Sequence, residues 1–202
     1  MPPLIGVLAI QGGFRAHERM LEKLEDPTHP SAAPRVREVR TVADLEGLDG
    51  LIIPGGESTT MTLGIEREGL AEPLRRLART GMPILGSCAG LIMLDREHLG
   101  IMDMRAQRNA FGRQLQSFET DLVVRGLDGE DARGGPARPL RAVFIRAPWI
   151  AEHGPAVEVL AEVDGHPVAV RQGAALAVAF HAELTGDDRL HRLFLEQVAA
   201  PD

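Results

Sequence analysis

Residues 82–91 have the sequence MPILGSCAGL, in which a short apolar run ends at a turn and a second apolar run follows. This is the pattern of a strand that turns sharply into a helix, with a nucleophile at the turn and a glycine two residues away on each side. A side chain at Gly86 or Gly90 would crowd the neighbouring backbone. The stretch therefore predicts an α/β sheet with Cys88 at the carboxyl end of a strand, where such sheets bind ligands.

The rest of the chain extends this pattern in both directions. Short apolar runs alternate with helical patterns in the first half, which predicts parallel strands with helices on both faces of a sheet. After about residue 118, strand patterns follow one another with few helices between them, which favours antiparallel strands. The predicted strands are residues 4–10, 36–40, 51–53, 84–87, 123–124, 142–146, 157–163, 167–171 and 174–180; the predicted helices are 14–24, 61–65 (capped by Ser58 or Thr59), 68–80, 89–94 and 189–198; loops are predicted at 25–34 and 126–139.

Length and composition exclude several classes of protein. The 202 residues suit one domain, so we predict a single domain over residues 1–202. The net charge is -7 and no basic block is interleaved with aromatic residues, so we expect no nucleic-acid partner. The apolar run at residues 4–10 is too short to span a bilayer and has no basic region before it, which argues against a membrane span and an export signal. A single cysteine provides no disulfide framework, and we expect a cytoplasmic location.

The residues alone leave two interpretations of Cys88 open: a buried inert thiol, which is common for a lone cysteine, and a nucleophile. A thiol nucleophile requires a base and a group that orients the base. His181 follows the apolar run at residues 174–180, and Glu183 lies on the same side of an extended chain two residues later. A surface pair is the alternative for these two residues, and the other histidines show no comparable pairing. No group of cysteine, histidine and carboxylate side chains has metal-ligand spacing, so no metal is expected.

A third candidate element is the sequence LIIPGGESTT at residues 51–60. Its Pro-Gly-Gly turn ends a buried strand and leaves backbone N–H groups exposed at the edge of the sheet. Gly55 and Ala89 are the candidate donors of an oxyanion hole. Glu57 and Ser58 are placed to hold a polar substrate. The alternative is an ordinary strand-to-helix turn without a catalytic role.

Together these three elements resemble the triad-type glutamine amidotransferases. In that family, a cysteine in a G-x-C-x-G turn works with the histidine and glutamate of an H-x-E motif, on a flavodoxin-like three-layer fold with a mostly parallel sheet. Further segments, from about residue 4 to residue 197, are similar to the glutaminase subunits of pyridoxal 5'-phosphate synthases. These segments are AIQG at 9–12, PGGESTTM at 54–61, RNAFGRQ at 108–114, SFE at 117–119, FIRAP at 144–148, FH at 180–181 and ELT at 183–185.

The resemblance implies an enzyme that hydrolyses L-glutamine to L-glutamate and ammonia. Cys88 is then the nucleophile, His181 the general base, and Glu183 the residue that orients the base. The residues implied to hold glutamine are Gly56, Glu57, Ser58, Arg108, Ile145 and Arg146. The two arginines suit the α-carboxylate of glutamine, because guanidinium groups recognise carboxylates well. The resemblance implies no cofactor.

The resemblance also implies a partner, a synthase subunit that receives the ammonia and builds pyridoxal 5'-phosphate from a pentose phosphate and a triose phosphate. Glutaminase activity is then expected to depend on docking, and residues 11–24 are the candidate docking region. The chain departs from the family pattern at Ala182, where a proline is usual, and at Ser87, where threonine is commoner. Two alternatives stay open: a glutaminase that serves a different synthase, and a binding module of the same fold without catalysis, for which Ala182 is the best support.

Overall fold

The structure is a computed structural model that describes residues 1–24, 33–111, 117–127 and 138–200. The loops predicted at residues 25–34 and 126–139 therefore lie largely outside the described residues. The strands are β1 (Leu4–Leu8), β2 (Arg35–Val39), β3 (Gly50–Ile53), β4 (Ile84–Ser87), β5 (Met104–Gln107), β6 (Ser117–Leu122), β7 (Leu140–Ile145), β8 (Trp149–His153), β9 (Glu158–Val163), β10 (His166–Gln172) and β11 (Ala175–Val178). The helices are α1 (Phe14–Leu21), α2 (Ser58–Arg67), α3 (Ala71–Arg79), α4 (Ala89–Leu94) and α5 (Arg189–Ala199), with 3-10 turns at Val42–Leu45 and Ala182–Leu184.

The central sheet has the strand order β2-β1-β3-β4-β11-β10-β9. Its first five strands in this order are parallel, and β10 and β9 are antiparallel to their neighbours. Strands β1, β3, β4 and β11 are buried along their whole length, as expected for parallel strands covered by helices on both faces. Ile53 pairs with Gly86, and Ser87 pairs with Val178, so β3, β4 and β11 end almost level. The residues that follow these three strands therefore gather at one edge of the sheet.

Two small two-stranded sheets complete the second half of the chain. Strand β5 pairs with β8, and β6 pairs with β7, each in antiparallel register. The sequence missed β5, β6 and β8. It placed a strand at residues 123–124, which is wrong because β6 ends at Leu122. In β6 the side chains alternate between solvent and the interior, and the charged residues Glu119 and Asp121 face Arg141 on β7.

The helix predicted at residues 89–94 is confirmed as α4, and the predicted starts of α1 and α5 are also confirmed, whereas the bounds of α2 and α3 differ from the prediction. Residues 68–80 do not form one helix, because Gly69 has a φ of 67° and separates α2 from α3. The cap of α2 is Glu57, not Ser58 or Thr59 as predicted, and its carboxylate accepts hydrogen bonds from the backbone N–H groups of Thr59 and Thr60. Among the described residues, no helix combines the length and apolarity that a membrane crossing requires.

Aromatic residues make up only 3% of the chain, and most of their side chains cluster where the two small sheets meet the central sheet. Phe144 on β7 stacks on Phe118 of β6 with ring centroids 4.6 Å apart, and it contacts Phe180 edge-on at 5.6 Å. Phe111 contacts both Phe118 and Trp149, at 5.0 Å and 5.3 Å. This aromatic cluster fixes the ends of β7 and β5 beside the edge where β3, β4 and β11 end.

Candidate active site

Cys88 lies at a strained turn between β4 and α4, with φ 51° and ψ -105°. Non-glycine residues rarely adopt such angles, which cost on the order of 1–3 kcal/mol and concentrate at functional sites. The turn is held by a hydrogen bond of 2.8 Å from the Cys88 N–H to the Val178 carbonyl of β11. A Cβ atom at Gly86 would lie 2.6 Å from the Gly90 carbonyl oxygen, and one at Gly90 would lie 2.0 Å from that of Ile53. Both glycines are therefore required for the close approach of α4 to the sheet.

His181 and Glu183 form a hydrogen-bonded pair beside this turn. The His181 Nδ1 atom lies 2.7 Å from Glu183 Oε1. The backbone N–H of His181 donates a hydrogen bond of 2.8 Å to the Val143 carbonyl. The extended chain predicted between His181 and Glu183 is wrong, because the 3-10 turn Ala182–Leu184 begins immediately after His181. The two side chains nevertheless meet, because this turn carries Glu183 back under the imidazole ring.

The electrostatics of the pair favour a protonated imidazole. Burial lowers the pKa of His181, but hydrogen bonds with Cys88 and Glu183 and the charges of both groups outweigh it and raise that pKa to about 10. Burial raises the pKa of Glu183, whereas its histidine neighbours lower it, and the net direction is downward. An ionised carboxylate on one side of His181 and a sulfur on the other is the arrangement that activates a thiol nucleophile.

The Pro-Gly-Gly turn after β3 lies against this pair. A Cβ atom at Gly55 would lie 2.4 Å from His181 Cε1 and 3.2 Å from Cys88 Cβ, so only glycine fits. The Gly55 carbonyl accepts a hydrogen bond of 2.9 Å from Gly13 N–H, which ties the turn to the loop between β1 and α1. In the same way, the Glu57 N–H donates to Gln11 Oε1 at 2.8 Å.

Glu57 is engaged by its own helix. Its carboxylate accepts from Thr59 N–H at 3.0 Å and from Thr60 N–H at 2.7 Å, and the Thr60 hydroxyl adds a third bond at 2.7 Å. Hydrogen bonds from Thr60 and Thr59 lower the pKa of Glu57 to about 2. The side chain thus stays ionised over the physiological range and presents a fixed negative charge at the start of α2.

The predicted substrate-binding residues at the ends of β5 and β7 reach the same place. Arg108 Nη1 lies 3.3 Å from Ser58 Oγ and 3.2 Å from Thr59 Oγ1, so its guanidinium group donates hydrogen bonds to two hydroxyl groups at the start of α2. Ile145 ends β7, and its carbonyl oxygen lies 3.9 Å from Cys88 Sγ. Arg146 follows with a φ of 45°, a left-handed conformation that turns the chain at the cavity.

These residues line one cavity of about 710 Å³. Every residue that the sequence placed in the site lies on its wall: Gly55, Gly56, Glu57, Ser58, Cys88, Ala89, Arg108, Ile145, Arg146, His181 and Glu183. The remaining wall residues are not among the predicted site residues, although the first three lie in the predicted docking region 11–24: Gln11, Gly13, Ala16, Ile92, Asn109, Pro148 and Leu184. Gln11 could have been found, because it lies shortly after β1 at the same edge of the sheet.

A second cavity, of about 570 Å³, lies at the opposite edge of the sheet. Its wall contains two arginines, Arg75 and Arg79, and no cysteine, histidine or carboxylate. Within the described ranges no cluster of histidine, cysteine and acidic side chains could hold a metal ion. Of these two cavities, the one around Cys88 is lined by a cysteine, a histidine and carboxylates.

Three histidines other than His181 also contact buried polar side chains, which the sequence did not indicate. His98 Nδ1 lies 2.7 Å from the buried Asp95 carboxylate. His17 is buried, with Nε2 3.6 Å from Glu183 Oε2 and Nδ1 2.9 Å from Nε2 of His191. The prediction that no other histidine has a comparable pairing is therefore wrong. Asp95 lies three residues before His98, whereas the contacts of His17 join distant parts of the chain and left no signal in the local sequence.

A family model described as the SNO glutamine amidotransferase family matches residues 7–200. The chain belongs to this family. A pyridoxal 5'-phosphate synthase subunit PdxT of Mycolicibacterium vanbaalenii is 48% identical over 209 residues, covering 98% of this chain and 98% of that protein. The protein of the same name from Frankia alni is 50% identical over 205 residues, covering 97% and 95%.

Solved structures agree with this family assignment. A crystal structure described as a glutamine amidotransferase is 42% identical, with a TM-score of 0.83 and coverage of 97% of this chain and 99% of that one. A putative GMP synthase subunit of Thermoplasma acidophilum is 19% identical, with a TM-score of 0.69 and coverage of 98% and 95%, and shares the fold. The predicted flavodoxin-like fold of the amidotransferases, with a mostly parallel sheet and antiparallel strands in the second half, is confirmed.

Proposed function

We propose that this chain is the glutaminase subunit of a pyridoxal 5'-phosphate synthase, which hydrolyses L-glutamine to L-glutamate and passes the ammonia to the synthase subunit. The observation that carries the proposal is that Cys88, His181 and Glu183 line one cavity of a glutamine amidotransferase. In this cavity, His181 Nδ1 lies 2.7 Å from Glu183 Oε1. Relatives about half identical to the chain, and matched over almost their full length, are pyridoxal 5'-phosphate synthase subunits by name.

In the first half of the reaction, the Cys88 thiolate attacks the side-chain amide carbon of glutamine. A C–S bond forms, and the negative charge on the amide oxygen is met by the backbone N–H groups of Gly55 and Ala89. His181, held in its protonated form by Glu183, donates a proton to the amide nitrogen, and the C–N bond breaks to release ammonia. The product left on the enzyme is a γ-glutamyl thioester.

In the second half, water hydrolyses the thioester. His181 is neutral after the first step and accepts a proton from the attacking water. The C–S bond breaks, glutamate leaves, and the proton on His181 again faces the Cys88 thiolate. Glu183 keeps the imidazole ring in one orientation through both halves, because its Oε1 stays on Nδ1 and leaves Nε2 for the reacting groups.

The same cavity provides contacts for the rest of the substrate. Arg108 and Arg146 offer guanidinium groups for the α-carboxylate of glutamine, and Ser58 offers a hydroxyl. The Glu57 carboxylate is occupied by the start of α2, so it contributes fixed negative charge, which suits the α-ammonium group of glutamine. Gly56 and Ile145 contribute main-chain surface.

We extend the proposal to the setting of the enzyme. Ammonia is protonated in bulk water and then loses its nucleophilicity, so its use requires a docked synthase that receives it directly. Docking is proposed at residues 11–24, because Gln11, Gly13 and Ala16 line the cavity at its rim. A single domain over residues 1–202 and a cytoplasmic location complete the proposal.

The test is glutamate release from glutamine by the purified chain, alone and with its cognate pyridoxal 5'-phosphate synthase subunit, with Cys88→Ala as the matched control. We expect low activity alone, a strong rise with the synthase subunit, and none in the control. Activity raised only by another synthase would favour the alternative partner. Absence of activity in every condition, together with a Cys88 that does not react with a glutamine-analogue electrophile, would leave only a binding module.

A further inference from the structure

Two buried histidines lie behind the proposed triad and take no part in the mechanism above. His17 is 1% exposed and His191 is 0% exposed. His17 Nε2 lies 3.6 Å from Glu183 Oε2 and 3.4 Å from Ser87 Oγ, while its Nδ1 lies 2.9 Å from Nε2 of His191. The Glu183 Oε1 atom is bonded to His181, whereas Oε2 is buried and accepts no hydrogen bond from the described residues. His17 is thus the group placed to meet the second oxygen of this carboxylate.

The network selects one tautomer of His17. Burial lowers the pKa of His17, and burial lowers that of His191 to about 3, so both rings are neutral. With the proton on Nδ1, His17 would point a lone pair at the ionised Glu183, and the second carboxylate oxygen would face no donor. With the proton on Nε2, the N–H points at Glu183 Oε2, and Nδ1 accepts the hydrogen bond from His191. The second arrangement directs an N–H at the ionised carboxylate and keeps the hydrogen bond between the two histidines, so it is the electrostatically favoured one.

We infer that His17 is a positioning residue for glutamine hydrolysis, an inference that rests on the function proposed above. Its Nε2–H, 3.6 Å from Glu183 Oε2, stabilises the charge on that oxygen electrostatically, so that Oε1 remains aimed at His181, and His191 fixes the tautomer that makes this possible. The chain of contacts runs from α5 through α1 to the turn that carries Glu183. A carboxylate held at only one oxygen can rotate about its side chain, and the His181 ring would rotate with it.

The kinetic test uses His17→Leu and His17→Gln in the full chain with its cognate synthase subunit. The Gln side chain restores an N–H near the position of Nε2, and the Leu side chain does not. We expect kcat of His17→Leu to fall by roughly 10-fold or more, because misplacing a catalytic group by about 1 Å can cost up to 10²-fold. The KM for glutamine should stay within about twofold, and His17→Gln should recover most of the lost kcat.

A matched control comes from His98, whose ring also meets a buried carboxylate, that of Asp95 at 2.7 Å, away from the cavity. The variant His98→Leu should keep the wild-type kcat within about twofold. An equal loss in His17→Leu and His98→Leu, a loss confined to KM, or a His17→Gln variant as slow as His17→Leu would overturn the positioning role. An inactive wild type would instead contradict the proposed function and leave the tautomer of His17 to be decided separately.

A measurement on the wild type decides that tautomer even where the Leu variant fails to fold. Histidine-selective ¹⁵N labelling and NMR distinguish a protonated Nε2 from a protonated Nδ1 in each ring. We expect His17 to be neutral with its proton on Nε2, and His191 to carry its proton on Nε2 as well. A proton on Nδ1 of His17, or a charged His17 ring at neutral pH, would overturn the inference.

Discussion

His181 derives its protonation state from the two groups on either side of it. The ionised Glu183 and the sulfur of Cys88 together overcome the effect of burial and raise the pKa of the ring to about 10. The residue therefore starts the proposed cycle as an acid that can protonate the leaving ammonia, not as a base that must first take a proton from the thiol. Its acid form and the fixed charge of Glu183 also contribute to the stability of the folded chain.

This electrostatic arrangement predicts a pH-dependent stability. Because the folded-state pKa of His181 is raised from 6.5 to about 10, its contribution is complete below pH 6.5 and is lost as the pH rises towards 10. Below pH 6.5, we expect the unfolding free energy of the wild type to exceed that of His181→Asn by on the order of a few kcal/mol. This difference should become smaller as the pH rises from 6.5 towards 10. Urea unfolding across this range measures the difference.

The control for this prediction repeats the comparison in a chain that carries Cys88→Ala, with and without His181→Asn. The sulfur is one of the groups that raise the pKa of His181, so the contribution of His181 should disappear at a lower pH when the sulfur is absent. A difference between wild type and His181→Asn that does not change with pH would contradict the prediction.

Among the elements, the hairpin of β6 and β7 places Ile145 and Arg146 at the cavity, and it depends on the aromatic cluster for its position. Phe144 is 1% exposed and contacts Phe118, Phe111 and Phe180 with centroid distances of 4.6, 5.5 and 5.6 Å. Residues one and two positions after Phe144 line the cavity. Packing at this one ring therefore couples the core to two residues of the proposed substrate-binding site.

The variant Phe144→Leu tests this coupling. Loss of the ring contacts should destabilise the chain by roughly 1–3 kcal/mol. It should also raise the KM for glutamine several-fold, because Ile145 and Arg146 lose their support. The matched variant Phe194→Leu removes an equally buried ring on α5 and should lower stability without the change in KM. Parallel glutamine kinetics and urea unfolding of both variants give the comparison, and an unchanged KM in Phe144→Leu would argue against the coupling.

Elements differ in how well the local sequence predicts them. The buried parallel strands were predicted within a few residues, because an apolar run that ends in glycine or proline has few other interpretations. Strands β5, β6 and β8 were missed, because each is short and half exposed, and it becomes a strand only by pairing with a partner far along the chain. The cap of α2 was assigned to Ser58 or Thr59, whereas the longer Glu57 side chain reaches the free N–H groups from one residue earlier.

The candidate site shows the same division. Cys88, Gly55 and Ala89 follow strands directly, so their place at one edge of the sheet could be predicted from the sequence pattern. Arg108 and Arg146 were assigned only through the family resemblance, because an isolated surface arginine carries no signal of its own. The sequence shows no pairing for His17, because its contact with His191 joins residues 174 positions apart. No pattern within one helix or strand predicts such a contact.

At the scale of the whole molecule, one sheet joins the two halves of the chain. Strand β11, from the second half, inserts beside β4 and completes the parallel part of the sheet, and Val178 pairs with Ser87 beside the nucleophile. The carboxyl edge of the sheet therefore contains residues from both ends of the sequence. This arrangement is the physical basis for the proposal of one domain.

One domain predicts one unfolding transition. The only tryptophan, Trp149 on β8, stacks on His166 with centroids 3.6 Å apart and reports on the second half of the chain. Circular dichroism in the far ultraviolet reports mainly on helices, most of which lie in the first half. We expect urea unfolding curves from the two signals to coincide, as in a cooperative two-state transition. Two separated midpoints would indicate two independently stable units.

The strained turn between β4 and α4 contains the only sulfhydryl group of the chain, that of Cys88. Any electrophilic dye that modifies a cysteine thiol of this chain therefore modifies Cys88, the proposed nucleophile, and the amount of bound dye counts the chains in which this thiol is reactive. Oxidative stress has a correspondingly simple effect. A sulfenic acid formed on Cys88 has no second cysteine in the same chain to capture it, so its reduction depends on an external thiol such as glutathione, and without one the damage proceeds to irreversible acids.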